Sequence, residues 1–292
     1  MFHGTYTALV TPFRDGELDL AAYERLIEAQ IAGGITGIVA AGTTGETPTL
    51  THDERDQIVR LAVEIARGRC QVLAGTGSNS TRAAIDYTRE AEKAGVDGLL
   101  IVAPYYNKPS QEGLFRHFSA IARETRLPIM LYNIPGRTGI DIAAGTVERL
   151  AAECSNIVSI KEASGSVDRV AELRARMPDA FTILSGDDGL TLPFMSVGAV
   201  GVVSVASNLL PSEVCALVRA FENGDVQAAG RMHRRLQGLF KDLFIEPNPV
   251  PVKTALAWRG MMSREVRLPL CEMTPANEAR LRETLAAFEA AA

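Results

Sequence analysis

The 292-residue chain is poor in several residue types: it has four cysteines, one tryptophan, five lysines and no block of like charge. The cysteines, Cys70, Cys154, Cys215 and Cys271, stand far apart. Their spacing excludes a CxxC redox pair, a zinc ribbon and the dense disulfide framework of small secreted domains, so they read as reduced and mostly buried thiols. With 30 basic against 35 acidic residues and no basic run, the sequence-independent attraction on which most nucleic-acid binding depends is missing. No nucleic-acid partner is expected. The start, Met1-Phe2-His3-Gly4-Thr5, lacks a basic segment followed by an apolar run, so a secretory leader is not expected and the cytoplasm is the expected compartment. The longest uncharged stretch, 189–212, is divided by Pro193, Asn208 and Pro211 and reads as a short helix and a buried strand rather than a membrane span. His3, His52, His117 and His233 form no HExxH or close pair, and no catalytic metal is expected. The phosphate loop of nucleotide hydrolases is absent. The run Gly75-Thr76-Gly77-Ser78-Asn79-Ser80 only approaches a dinucleotide fingerprint, because Ser80 replaces its last glycine.

What remains is an ordinary globular composition, 47% apolar and 22% charged. Short apolar runs recur around Ala8, Ile38, Leu73, Leu100, Leu131, Ser159, Ile183 and Val203, about 28 residues apart, with amphipathic segments between them. Eight strands buried on both faces and alternating with helices predict a (β/α)8 TIM barrel. An open doubly wound sheet shares the alternation and is the competing topology. Thr51-His52-Asp53-Glu54 fits a capping box, and Gly68, Gly95 and Gly224 fall where helices should stop. Beyond Gly224 the strand signal ends. The expected organisation is a barrel over 1–224 and a C-terminal helical region over 225–292, with helices near 225–245 and 252–259 and one opening at Thr274-Pro275.

Barrel chemistry sits at the C-terminal ends of the strands. There the second strand delivers Gly42-Thr43-Thr44-Gly45-Glu46, either a plain glycine-rich turn or a set of donors for a carboxylate or phosphate. The fourth and fifth strands deliver Pro104-Tyr105-Tyr106-Asn107-Lys108-Pro109 and Tyr132-Asn133-Ile134-Pro135-Gly136-Arg137-Thr138, which hold three of the chain's six tyrosines. A phenol there can relay a proton, or can simply sit satisfied at the rim. The sixth strand closes on Lys161, which by the pleat should point with Ser159 into the barrel mouth. Taken alone, Lys161 also reads as the partner of Glu162, Asp187 or Asp188. Beside a threonine pocket, a phenol and a guanidinium, it reads as an amine that is desolvated to attack the carbonyl of a 2-oxo acid. The group Arg231, His233, Arg234 and Arg235 reads as a solvated helix face.

These motifs, together with Ala8-Leu9-Val10-Thr11-Pro12-Phe13, Lys161-Glu162-Ala163 and Asn248-Pro249-Val250-Pro251-Val252-Lys253, resemble the pyruvate-dependent class I aldolases and lyases, and within them the dihydrodipicolinate synthases. The resemblance spans essentially the whole chain. It implies that Lys161 forms a Schiff base with pyruvate, that Thr43 and Thr44 hold its carboxylate, and that Tyr132 relays protons through Thr43 to a Tyr106 from a neighbouring subunit. Arg137 would bind the carboxylate of L-aspartate 4-semialdehyde, with Gly186 and Val203 also lining the substrate site. Sialic-acid lyases and sugar-acid aldolases are similar at the lysine and tyrosine but not in Pro135-Gly136-Arg137-Thr138. No cofactor is implied; a cytoplasmic homotetramer built from two dimers is. Of the cleft in which lysine-inhibited members bind the amino acid, His52, Asn79 and Tyr105 match. Arg55 replaces a histidine and Ala83 replaces a glutamate, so feedback by lysine is expected to be weak or absent. The competing readings are a pyruvate-dependent aldolase or lyase acting on another 2-oxo acid, and a non-catalytic barrel that binds such an acid.

Overall fold

The structure, a computed structural model, describes residues 2–290. Eight parallel strands form a closed barrel: β1 (Gly4–Ala8), β2 (Gly37–Ala40), β3 (Gln71–Gly75), β4 (Gly98–Val102), β5 (Ile129–Asn133), β6 (Ile157–Glu162), β7 (Thr182–Ser185) and β8 (Gly201–Ser204). Each strand pairs with its neighbour in sequence, and β8 pairs back to β1 through Gly4–Gly201, Thr5–Val202, Tyr6–Val203 and Thr7–Ser204. That last ladder removes the sheet's edges and decides against the open topology. The helices between strands are α1 (Leu20–Ala32), α2 (His52–Ala66), α3 (Thr81–Ala94), α4 (Gln111–Ala122), α5 (Ala144–Glu153), α6 (Val167–Arg176) and α7 (Thr191–Met195), and α8 (Pro211–Glu222) follows β8. A hairpin of Phe13–Arg14 with Glu17–Leu18 follows β1 in the chain.

Alternation along the strands sorts the side chains into two apolar layers. Tyr6, Ala8, Val39, Leu73, Leu100, Met130, Tyr132, Leu184 and Val203 fill the barrel interior, while Ile38, Val72, Leu99, Leu131, Ile160 and Val202 face the helices. Phe2 meets the ring of Tyr6 edge-on at 6.0 Å and joins the interior cluster at its N-terminal end. Local signals act where expected. Thr51 and Glu54 form a reciprocal capping box at 3.2 and 2.8 Å, Gly95 closes α3 in the left-handed conformation, and α2 stops at Arg67 and Gly68, both at positive φ. The uncharged stretch 189–212 contains α7 and β8, and among the described residues no helix is long and apolar enough to cross a membrane.

After α8 come α9 (Val226–Asp242), α10 (Val250–Trp258) and α11 (Pro275–Ala290). Leu236, Leu239, Leu256, Leu281 and Leu285 of these helices belong to the same apolar cluster as the barrel's helix-facing residues, so the C-terminal helices share the barrel's core.

Closure depends on Gly201, whose φ is +150° and whose Cβ, if present, would lie 2.0 Å from the Gly4 carbonyl oxygen. Gly201→Ala is expected to part the β8–β1 ladder and cost about 3 kcal/mol or more, read as a lowered midpoint in chemical denaturation. An unchanged midpoint would contradict this account of the closure.

Candidate active site

Lys161 stands on β6 directly beside Tyr132 of β5 in the strand register, and its Nζ lies 4.3 Å from the centre of the Tyr132 ring. β6 runs one residue further than the sequence pattern gave, to Glu162, and alternation sends that neighbour outward. Glu162 is held by Arg169 Nε at 2.8 Å, the Ser164 amide at 2.8 Å and Asn133 Nδ2 at 3.1 Å. Asp187 accepts from the Gly189 amide at 2.8 Å. Asp188 accepts from the Ser204 hydroxyl and from the amides of Val205 and Ala206, each at 3.0 Å. Among the described residues, then, no carboxylate forms an ion pair with Lys161. Burial dominates: it lowers the Lys161 pKa to about 7, the Asp188 charge opposes the shift and Arg137 adds to it. Gly186 makes room for the side chain, because a Cβ there would lie 2.9 Å from Lys161 Cε and 2.7 Å from Ala163 Cβ. Val203 lies buried in the barrel interior.

Tyr132 is buried, which pushes its phenol up to about 12, against the charge of Arg137 and the nearby Thr43 side chain. Thr43 and Thr44 belong to a loop with two residues in the left-handed region, Ala41 at φ +52° and Glu46 at φ +54°. Internal bonds shape this loop: the Gly45 amide donates to Gly42 O at 3.0 Å and the Thr47 hydroxyl to the same oxygen at 2.8 Å. Outside bonds fix it in place. Thr11 donates to Gly45 O at 2.8 Å, and Asn248 Nδ2 donates to the Thr44 hydroxyl at 2.9 Å.

Glu46 is turned inward, where Oε1 accepts from Lys253 Nζ at 2.6 Å and Oε2 from the Arg267 amide at 3.0 Å. Lys253 is completely buried, also donates to Thr11 O at 2.9 Å, and faces the Phe13 ring at 4.4 Å. Arg267 lies 4.2 Å from the same ring. Arg137, in a short helix Pro135–Thr138 after β5, is exposed and donates to Asn248 O at 3.4 Å. Asn248 therefore touches both the threonine loop and the guanidinium.

A cavity of about 430 Å³ is lined by Thr43, Tyr132 and Arg137 at the mouth and extends to Tyr105 and Arg55. The structure thus sets Lys161 beside Tyr132 and against Gly186, lines the cavity with Tyr132, Thr43 and Arg137, and ties Thr44 to Asn248. Tyr106 is not among them: at φ +72° its side chain projects outward and is 88% exposed. Of the three residues matched to a lysine cleft, Tyr105 lines the cavity, His52 pairs with Glu90 at 2.9 Å, and Asn79 accepts from Asn107 through its backbone oxygen at 2.9 Å. Sequence reasoning gave no role to Asn248, Glu46, Lys253 or Arg267. The scarcity of lysines was a usable signal for Lys253 as well, since it is set among Val250, Val252, Ala255 and Leu256.

A parallel eight-stranded barrel with a buried, unpaired lysine beside a phenol at its mouth defines a barrel enzyme of the Schiff-base type. The chain belongs to the dihydrodipicolinate synthetase family, whose model matches residues 1–288. It is 50% identical over 288 residues to a 4-hydroxy-tetrahydrodipicolinate synthase of Endomicrobium trichonymphae, covering 99% of each chain. Among solved structures, the 4-hydroxy-tetrahydrodipicolinate synthase of Methylacidiphilum fumariolicum SolV superposes with a TM-score of 0.98 at 59% identity, covering 99% of this chain and 97% of that one. The dihydrodipicolinate synthase of Aquifex aeolicus does so with a TM-score of 0.97 at 49% identity, covering 99% and 98%.

Removing the Lys253 charge leaves Glu46 buried without its cation. Lys253→Met is expected to cost about 3–5 kcal/mol and, by releasing the Thr43–Thr44 loop, to raise KM more than it lowers kcat. Thermal denaturation and initial-rate kinetics check both, and unchanged stability would remove the ion pair from this account.

Proposed function

We propose that the chain is a lyase that condenses pyruvate with L-aspartate 4-semialdehyde to give 4-hydroxy-tetrahydrodipicolinate, in the diaminopimelate route of lysine biosynthesis. Family membership and about 50% identity to proteins named for that activity support the reaction. The observation that carries the mechanism is the buried Lys161 amine, which has no acid partner and a pKa near neutrality. In this reading the neutral amine attacks C2 of pyruvate, and loss of water gives the imine. Removal of a methyl proton gives the enamine, which forms a carbon–carbon bond to the aldehyde carbon of the second substrate. The amino group of that substrate then displaces Lys161 from the imine carbon, closing the ring and freeing the lysine. One water leaves in all.

Tyr132, which lines the cavity with Thr43, is the proposed proton carrier, with Tyr106 of a neighbouring subunit continuing the relay. Thr43 and Thr44 are assigned to the pyruvate carboxylate and Arg137 to that of the semialdehyde. Gly186 and Val203 shape the pocket wall. The Tyr106 role requires assembly, and we propose a homotetramer made of two dimers, located in the cytoplasm. His52, Asn79 and Tyr105 are assigned to a remnant of a lysine cleft.

Borohydride reduction in the presence of pyruvate is expected to add one pyruvate-derived mass to the wild type and none to Lys161→Ala. The trapping rate should rise with pH as the amine loses its proton, being about tenfold lower at pH 6 than its plateau above pH 8. Trapping in Lys161→Ala, or a rate still climbing beyond pH 9, would refute the assignment. Turnover with another aldehyde but not with aspartate semialdehyde would favour a different aldolase of the same superfamily.

With Arg55 and Ala83 in place of the acid-bearing cleft, lysine is expected to inhibit only weakly. Titration of lysine into the coupled assay checks this, and submillimolar inhibition would contradict it.

A further inference from the structure

The segment that carries Arg137 leaves the barrel at Asn133, the last residue of β5, and returns to the same side chain eight and nine positions later. Asn133 Nδ2 donates to Asp141 Oδ1 at 2.6 Å, and Asn133 Oδ1 accepts from the Ile142 amide at 3.0 Å. One amide side chain thus closes the neck of the loop that presents the guanidinium. Inside the loop, the Arg137 amide donates to Ile134 O at 3.0 Å, and the Thr138 hydroxyl is shared between Ile134 O at 3.0 Å and Ile140 O at 2.8 Å. In so short a loop, fixing the neck limits where Arg137 can reach.

The neck is itself anchored. Asn133 is completely buried, stands opposite Glu162 in the β5–β6 register, and places Nδ2 3.1 Å from each Glu162 oxygen. Arg169 of α6 joins the same two acids, reaching Glu162 at 2.8 Å and Asp141 at 3.4 Å. The position calls for an amide, because one end must donate to carboxylates while the other accepts from a backbone N–H, which neither aspartate nor leucine can do. A buried group with all its partners filled holds one geometry, since any other leaves a polar atom unpaired. Glu162 also keeps the Arg169 and Ser164 bonds, so a change at Asn133 acts on the loop more than on the strand that bears Lys161. We propose that Asn133 is a positioning residue for the second substrate: by closing the 133–142 loop it sets the place of the Arg137 guanidinium, and so the capture of the aldehyde's carboxylate, without touching either substrate. This inference rests on the assignment of Arg137 to the semialdehyde carboxylate.

The test is initial-rate kinetics on Asn133→Ser, Arg137→Gln and the double variant of the full chain. Asn133→Ser is expected to raise KM for aspartate semialdehyde about tenfold and to change kcat and KM for pyruvate less than about threefold. Pyruvate trapping on Lys161 should keep its wild-type rate and pH dependence. In the Arg137→Gln background the same substitution should change KM for the semialdehyde less than about twofold, because the group that it positions is gone. Asp141→Ala removes an exposed side chain from the neck, should reproduce the split at about threefold, and carries the comparison if Asn133→Ser fails to fold. Equal losses for both substrates, a shifted trapping profile, or an Asn133→Ser effect undiminished beside Arg137→Gln would overturn the proposal and leave the assignment of Arg137 intact. An unchanged KM for the semialdehyde in Arg137→Gln would refute that assignment and the proposal with it.

Discussion

An amine held out of water with no acid beside it is the condition on which the site rests. Three carboxylates flank Lys161 in sequence or space, and any of them could have paired with it and kept it protonated. Each is occupied elsewhere: Glu162 by Arg169 and Asn133, Asp187 by the Gly189 amide, and Asp188 by Ser204 and two backbone amides. The strand pleat makes the first of these separations, since consecutive residues of β6 face opposite layers. The turn after β7 makes the other two. What surrounds the amine is therefore ring, glycine and aliphatic surface, and desolvation outweighs the remaining attraction to Asp188.

The second constraint comes from far along the chain. The loop bearing Thr43 and Thr44 contains two non-glycine residues at positive φ, a conformation that its own short bonds do not ensure. It is over-determined by Thr11 on one side and by Asn248, Lys253 and Arg267 on the other. Both oxygens of Glu46 are satisfied, and the Phe13 ring is in reach of two cations, Lys253 and Arg267. A buried pair of this kind gives little net stability but fixes one geometry, because any other leaves a charge unpaired. The C-terminal region thus holds the Thr43–Thr44 loop as well as contributing to the core.

Much of the fold was legible because its signals are local. The eight apolar runs, the capping box at Thr51 and the helix stops at Gly68 and Gly95 each follow from neighbours within a few residues. Barrel closure was expected from the count of eight regular units, but the contact that makes it, Gly201 against Gly4 across almost the whole chain, was not legible. Lys161 stood out from strand alternation and lysine scarcity. Lys253 is equally anomalous, but helical context hides which buried partner a lysine will find, and Glu46 lies 207 positions away. The outward turn of Tyr106 depends on backbone φ, which its residue type does not announce.

The span of the Asn248 and Lys253 contacts also bears on synthesis. A ribosome delivers all eight strands before residue 205, so the barrel can begin to close while the C-terminal helices are still unmade. The Thr44 hydroxyl and the Glu46 carboxylate gain their partners only as residues 248–267 emerge. A nascent chain can therefore carry the lysine in its barrel before the Thr43–Thr44 loop is fixed, and that loop is held in full only as translation nears its end.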